Sequence, residues 1–251
     1  MTTLNLVRIE QDAGRGDSIA LDLPALQRLR LADLRLPSSF DRWKLPELRR
    51  LDISDCRIPD AARLPPLLKL QTLRISKSIF PDLVLPPNPT TAFPSLRKLV
   101  LEECWISGFD DLERFLPLIV PTLESAFLGL DLFQSNFAPP ESTASNMLYD
   151  RFDAVPLSFL AIPTDLLLPL DERHLPHTLK HLQLLPRKFS TRSSPSPAPP
   201  IGKKSRRETV QSIVEEFDRL ERLTIPLSSS VPHPELVECC RVHGVELVVN
   251  G

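Results

Sequence analysis

The sequence predicts an α/β solenoid: a curved right-handed coil with a parallel β-sheet on its concave face and short helices or irregular segments on its convex face. Three observations carry this. The pattern L-x-x-L-x-L-x-x-N/C-x-L recurs along the chain, and four of the steps between copies are 22 residues long. Leucine supplies nearly a fifth of the 251 residues, and 27 prolines outnumber 7 glycines, which suits short apolar elements punctuated by rigid turns. Within each copy the last two apolar positions of L-x-x-L-x-L recur at period two, the period of a strand with one buried face.

Taken in order, Leu4 to Ile9 reads as an opening strand. Leu26, Leu29 and Leu31 begin the first copy, with Leu34 where the pattern has Asn or Cys. Leu48-Arg49-Arg50-Leu51-Asp52-Ile53-Ser54-Asp55-Cys56-Arg57-Ile58 fits at every fixed position, allowing Ile for Leu. Leu70-Gln71-Thr72-Leu73-Arg74-Ile75 follows with Ser78 at the polar site, and Leu96-Arg97-Lys98-Leu99-Val100-Leu101 with Cys104 there. Looser copies start at Leu123, Leu157, Leu179 and Leu220, and Val242, Val245 and Leu247 read as a closing strand. The nine first positions are separated by 22, 22, 26, 27, 34, 22, 41 and 22 residues. An apolar-Pro pair precedes several copies: Leu23-Pro24, Leu45-Pro46, Phe93-Pro94, Val120-Pro121 and Leu175-Pro176.

The return segments differ. Residues 110–119 and 208–219 read as short helices, the second burying Val210, Ile213, Val214 and Phe217 at helical spacing. Residues 60–62 and 234–241 are further helical candidates, while 37–44 and 81–92 are too rich in proline or polar residues. Residues 134–150, with Pro139-Pro140, read as a loop. Residues 187–207 hold a Ser/Pro run and then Lys203-Lys204-Ser205-Arg206-Arg207, a composition that predicts a disordered insertion and accounts for the 41-residue step.

The spacing has a physical logic. Both apolar residues of L-x-L point to one side of a strand, and the leading Leu packs into the same interior. The residue at the N/C position turns inward, where it can satisfy backbone groups left unpaired by the bend. No single copy buries its own apolar face, so stability is a sum over neighbouring interfaces.

These LP-x-L-x-x-L-x-L-x-x-C-x-[LI] units resemble the leucine-rich repeats of the F-box/LRR type, especially its irregular fungal forms. The ending from Cys240 to Val249 is similar to their last strand. The resemblance covers about residues 20–250. It implies a surface that presents substrate, while a separate F-box recruits a Skp-type adaptor and a cullin ubiquitin ligase. The N-terminal region lacks the LP-x-E-[IL]-x-x-x-[IL] pattern that opens an F-box, so a Skp-type adaptor is expected only if an F-box lies upstream. The alternative is a stand-alone repeat protein that binds its partner unaided.

Composition narrows the chemistry. A net charge of −2 offers no global field for nucleic acid or an anionic membrane. No run reaches the ~18 apolar residues of a membrane helix, and Met1 to Asn5 does not open a secretory signal, so a cytoplasmic or nuclear protein is expected. Cys56 and Cys104 fall at the interior position of their copies, and Cys239-Cys240 lacks a C-x-x-C partner, so reduced thiols are expected. His174, His177 and His181 have a spacing that zinc could use on a helix, but Pro176 interrupts it and His181 falls in a strand. G-x-S-x-G, G-x-x-x-x-G-K-[ST] and G-x-G-x-x-G are absent. The expectation is a non-catalytic protein with no cofactor or metal. The basic run 203–207 also matches an import signal, and phosphorylation of Ser194 or Ser196 would set negative charge beside it.

A partner would meet the x positions of each strand, which project opposite the buried leucines. One row across the strands reads Arg28, Arg50, Thr72, Lys98, Ser125, Phe159, His181, Arg222. The next reads Arg30, Asp52, Arg74, Val100, Phe127, Ala161, Gln183, Thr224. The predicted ligand-binding residues are therefore Arg28, Arg30, Arg50, Arg74 and Lys98, beside Phe127 and Phe159. A basic zone, relieved by Asp52 and Glu102 and adjoining exposed phenylalanines, suits a protein or peptide partner with an acidic segment and a hydrophobic anchor.

Overall fold

The structure, a computed structural model, describes residues 2–7, 21–34, 36, 43–56, 64–77, 92–106, 120–132, 155–163, 175–186, 206–226 and 234–250. Its strands are β1 (Thr2–Val7), β2 (Leu21–Asp22), β3 (Leu26–Ala32), β4 (Trp43–Lys44), β5 (Arg50–Ser54), β6 (Thr72–Ser76) and β7 (Lys98–Ile106). They continue with β8 (Ser125–Leu132), β9 (Phe159–Pro163), β10 (His181–Leu185), β11 (Arg222–Pro226) and β12 (Glu246–Asn250). Two helices, α1 (Arg206–Glu216) and α2 (Pro234–Val242), flank β11 in sequence. The fold is a parallel β-solenoid. Ten strands form one sheet in the order β1-β3-β5-β6-β7-β8-β9-β10-β11-β12, and β2 pairs with β4 separately.

Register follows the repeat. Leu29, Leu51, Leu73, Leu99, Ala126, Leu160, Leu182, Leu223 and Leu247 are successive partners across the sheet. All but Leu247 are at most 1 % exposed, so the strand pattern is set by an interior that tolerates almost no water. Each such leucine contributes on the order of 1.5–3 kcal/mol over its exposed state. The leading residues Leu26, Leu48, Leu70, Leu96, Leu123, Leu157, Leu179 and Leu220 are buried as well.

Entry to β3, β5, β6, β7 and β8 is a four-residue turn in which the amide of the leading leucine donates to the carbonyl three residues back. Leu26 bonds Leu23, Leu48 bonds Leu45, Leu70 bonds Leu67, Leu96 bonds Phe93, and Leu123 bonds Val120, at 2.9–3.2 Å. Proline occupies the second turn position at Pro24, Pro46, Pro94 and Pro121, where its fixed φ is favoured. The other end is equally regular. Asp33, Asp55 and Lys77, just past β3, β5 and β6, and Glu103, at the register shift inside β7, occupy equivalent positions and adopt φ of 52–54°, a conformation uncommon outside glycine. The amides of Asp33, Asp55 and Lys77 donate to Ser54, Ser76 and Glu102 on the next strand, which ties each turn to its neighbour.

The residue after that turn points inward. Cys56 and Cys104 are 3 % and 0 % exposed. The Cys56 thiol lies 3.7 Å from the Leu31 carbonyl and the Cys104 thiol 3.3 Å from that of Ile75, each on the preceding strand of the sheet. Burial pushes the Cys56 thiol above its ordinary pKa.

The helices sit where periodicity places them, with one difference at each. α1 buries Val210, Ile213 and Val214, and Phe217 just beyond it. It begins at Arg206, so Arg206 and Arg207 belong to it and not to a disordered insertion. α2 extends to Val242, which is 64 % exposed and does not enter the closing strand. Gly244, at φ 70°, ends it: the Val245 amide bonds Cys240 and the Gly244 amide bonds Arg241, a Schellman closure with Val245 buried. The final strand is thus β12, with Leu247 and Val249 on the interior side, two residues later than Val242, Val245 and Leu247 imply.

The insertion at 187–205, the loop at 134–150, the helices expected at 60–62 and 110–119, and Ser194, Ser196 and His174 lie outside the described residues. No helix among the described residues is long and apolar enough to cross a membrane.

Candidate binding surface

The face of the sheet opposite the core carries the two rows that the alternation predicts. In the first, Arg28, Arg50, Thr72, Lys98, Ser125, Phe159, His181, Arg222 and Glu246 are successive strand partners. In the second, the partners are Arg30, Asp52, Arg74, Val100, Phe127, Ala161, Gln183, Thr224 and Val248. A third row adds Ala32, Ser54, Ser76, Glu102 and Gly129.

All seven predicted residues lie on this face, but they are not equivalent. Arg28, Arg30 and Lys98 are exposed, and no described residue forms an ion pair with them. Arg50 is different: its Nε lies 2.8 Å from a carboxylate oxygen of Asp52, on the same strand and face. Arg74 donates to Glu102 on the next strand. Both pairs are partly exposed, so each contributes little to stability, at most about 1 kcal/mol. Their effect on the field is larger: the basic zone becomes two charged poles, on β3 and β7, separated by two strands whose outward cations are paired with carboxylates.

Beyond Lys98 the surface turns apolar. Val100, Phe127 and Phe159 are half-buried, and Ala161 is fully buried although it faces outward. Phe127 lies over Gly129: a Cβ added there would stand 2.8 Å from Phe127 Cε1 and 3.1 Å from the Leu101 carbonyl oxygen. Glycine therefore makes the seat on which this ring rests. The strands past β9 are polar, with His181 Nε2 3.7 Å from Glu221 and Arg222 2.7 Å from Glu246. A hydrogen bond from Lys180 holds the Glu221 carboxyl below its usual pKa.

Among the described residues there is no group of three or more His, Cys, Asp or Glu able to hold a metal. His177 stacks near Phe217, with centroids 6.3 Å apart, while His181 faces Glu221. The thiols of Cys239 and Cys240 are buried and raised in pKa, Cys240 to about 11, chiefly by burial, so neither is a nucleophile near neutrality.

The linear rows set Asp52 and Glu102 among these cations without assigning pairs; the structure joins Arg50 to Asp52 and Arg74 to Glu102. The signal for both pairs was present: Asp52 stands two residues from Arg50, and Glu102 follows Val100 on the strand after Arg74. A third row read beside the first two would have brought Glu102 diagonally against Arg74. No family model matches the chain, and no curated protein or solved structure matches it either.

Proposed function

We propose that the chain is a non-catalytic, leucine-rich-repeat-type scaffold that offers its outward sheet face, as a concave surface, to an acidic protein segment carrying a hydrophobic anchor. The observation that carries this is the juxtaposition of the exposed cations Arg28, Arg30 and Lys98, which pair with no described residue, with the apolar strip Val100, Phe127 and Phe159. Cations at the edge of an apolar strip steer an acidic partner and fix its register, and the aromatic groups supply the burial that holds it. Substrate presentation to a cullin-type ubiquitin ligase is the more specific form of this proposal; a stand-alone scaffold is the other.

Affinity capture from native cells tests both levels. Partners captured by the wild-type chain should be lost from an Arg30→Glu, Arg74→Glu double variant, and an unchanged partner set would overturn the proposed surface. A Skp-type adaptor and a cullin in the captured set favour the ligase form, and their absence favours the stand-alone form.

A further inference from the structure

Resting on that proposed surface, we infer that the face selects the spacing of acidic residues in its partner. The preferred segment has an acidic pair, a second acidic position about four residues away, and a hydrophobic residue about two or three further on.

Arg28 and Arg30 alternate on β3, so both project to the outward face from one strand. On β5 the only cation, Arg50, is cancelled by Asp52, and on β6 Arg74 is engaged by Glu102. In the two outward rows the next exposed cation is Lys98 on β7, three strand steps from β3. At ~4.8 Å per step the poles stand about 14 Å apart, which an extended chain of ~3.3 Å per residue covers in about four residues. One and two steps past Lys98 lie Phe127 and Ala161, so an anchor falls about two or three residues later.

The intervening strands do more than leave a gap. Asp52 on β5, and Glu102 reaching from β7 to Arg74 on β6, set like charges against any acidic group placed between the poles. A continuously basic face would accept any acidic tract according to its total charge. Two poles with carboxylates between them penalise charge at the wrong position, which also disfavours a uniform polyanion such as a nucleic-acid strand.

Fluorescence anisotropy on the full chain tests this with defined peptides. The probe is Asp-Asp-Ser-Gly-Ser-Glu-Ser-Ser-Phe. The permuted control, of the same composition, is Asp-Asp-Glu-Ser-Gly-Ser-Ser-Ser-Phe. The probe should bind about tenfold more tightly than the control. Lys98→Gln should remove that preference, and an Arg28→Gln, Arg30→Gln double variant should weaken both peptides by about tenfold. Asp52→Asn should strengthen the control relative to the probe by releasing Arg50, a gain that mere loss of structure cannot produce. Equal binding of both peptides, still lost with Arg28 and Arg30, overturns the spacing and spares the surface. Binding of neither peptide, with partner capture also indifferent to Arg30 and Arg74, overturns both. Tighter binding of single-stranded poly-uridylate than of the probe overturns the inference in favour of nucleic acid. Thermal unfolding of each variant establishes that these surface changes leave the fold intact.

Discussion

At the scale of the residue, the left-handed positions that end β3, β5 and β6 and bend β7 are the most informative. Asp33, Asp55, Lys77 and Glu103 share a left-handed conformation, and only the aspartates have side chains that tolerate it readily. Lys77→Asn should therefore raise the midpoint of thermal unfolding by a few degrees, corresponding to roughly 0.5–1 kcal/mol. An unchanged or lower midpoint would show that the lysine stem pays its own way through packing. The cysteines give a second prediction. All four are buried, so a disulfide reagent should leave them unmodified in the native protein and titrate four thiols after unfolding. Cys240 is held near pKa 11 in the fold against 9.0 unperturbed, so between these values the unfolded chain has lost the proton that the native chain keeps. Stability should then fall as pH rises from 9.0 toward 11, and Cys240→Ala should flatten that part of the curve.

At the scale of the element, turn and strand were legible to different depths. The rows of outward residues could be written from the sequence because period two leaves one choice once the interior leucines are fixed. Helix ends were less legible. α2 runs on to Val242 because Gly244 and Val245 form its closure, and the apolar residues there fit a strand pattern equally well. Ion pairs were the least legible part of the candidate surface, since Arg74 and Glu102 belong to different strands and meet only diagonally. The entry turns supply a test of element logic. Leu68 takes the second turn position where Pro24, Pro46, Pro94 and Pro121 stand elsewhere, and it is 58 % exposed. Leu68→Pro should stabilise by about 0.4–1 kcal/mol, by restricting the unfolded chain at a position whose geometry is already suited to proline. A destabilised variant in urea unfolding would mean that the Leu67–Leu70 turn differs from its counterparts.

At the scale of the whole molecule, each strand of the large sheet touches only its immediate neighbours, and the terminal strands β1 and β12 have one sheet partner each among the described residues. Leu73, fully buried on β6, is supported from both sides. Leu73→Ala should cost about 2–5 kcal/mol. Leu247 is only half-buried on β12, and the same change there should cost much less in chemical denaturation. Amide exchange should follow the same gradient, with β1 and β12 exchanging before β6 and β7. Equal costs at the two leucines would mean that the solenoid unfolds as one unit regardless of position.

The constant register beside unequal connections has a consequence for how such a surface can change. Steps between copies range from 22 to 41 residues, yet the strands still pair in one continuous series. A copy can thus be excised or duplicated without disturbing the alignment of those on either side. Removing the 22 residues from Arg49 to Leu70 would bring the Arg28 and Arg30 pole one strand closer to Lys98. The molecule works as a ruler whose graduations are whole copies, and its lineage could retune what it measures by losing or gaining one.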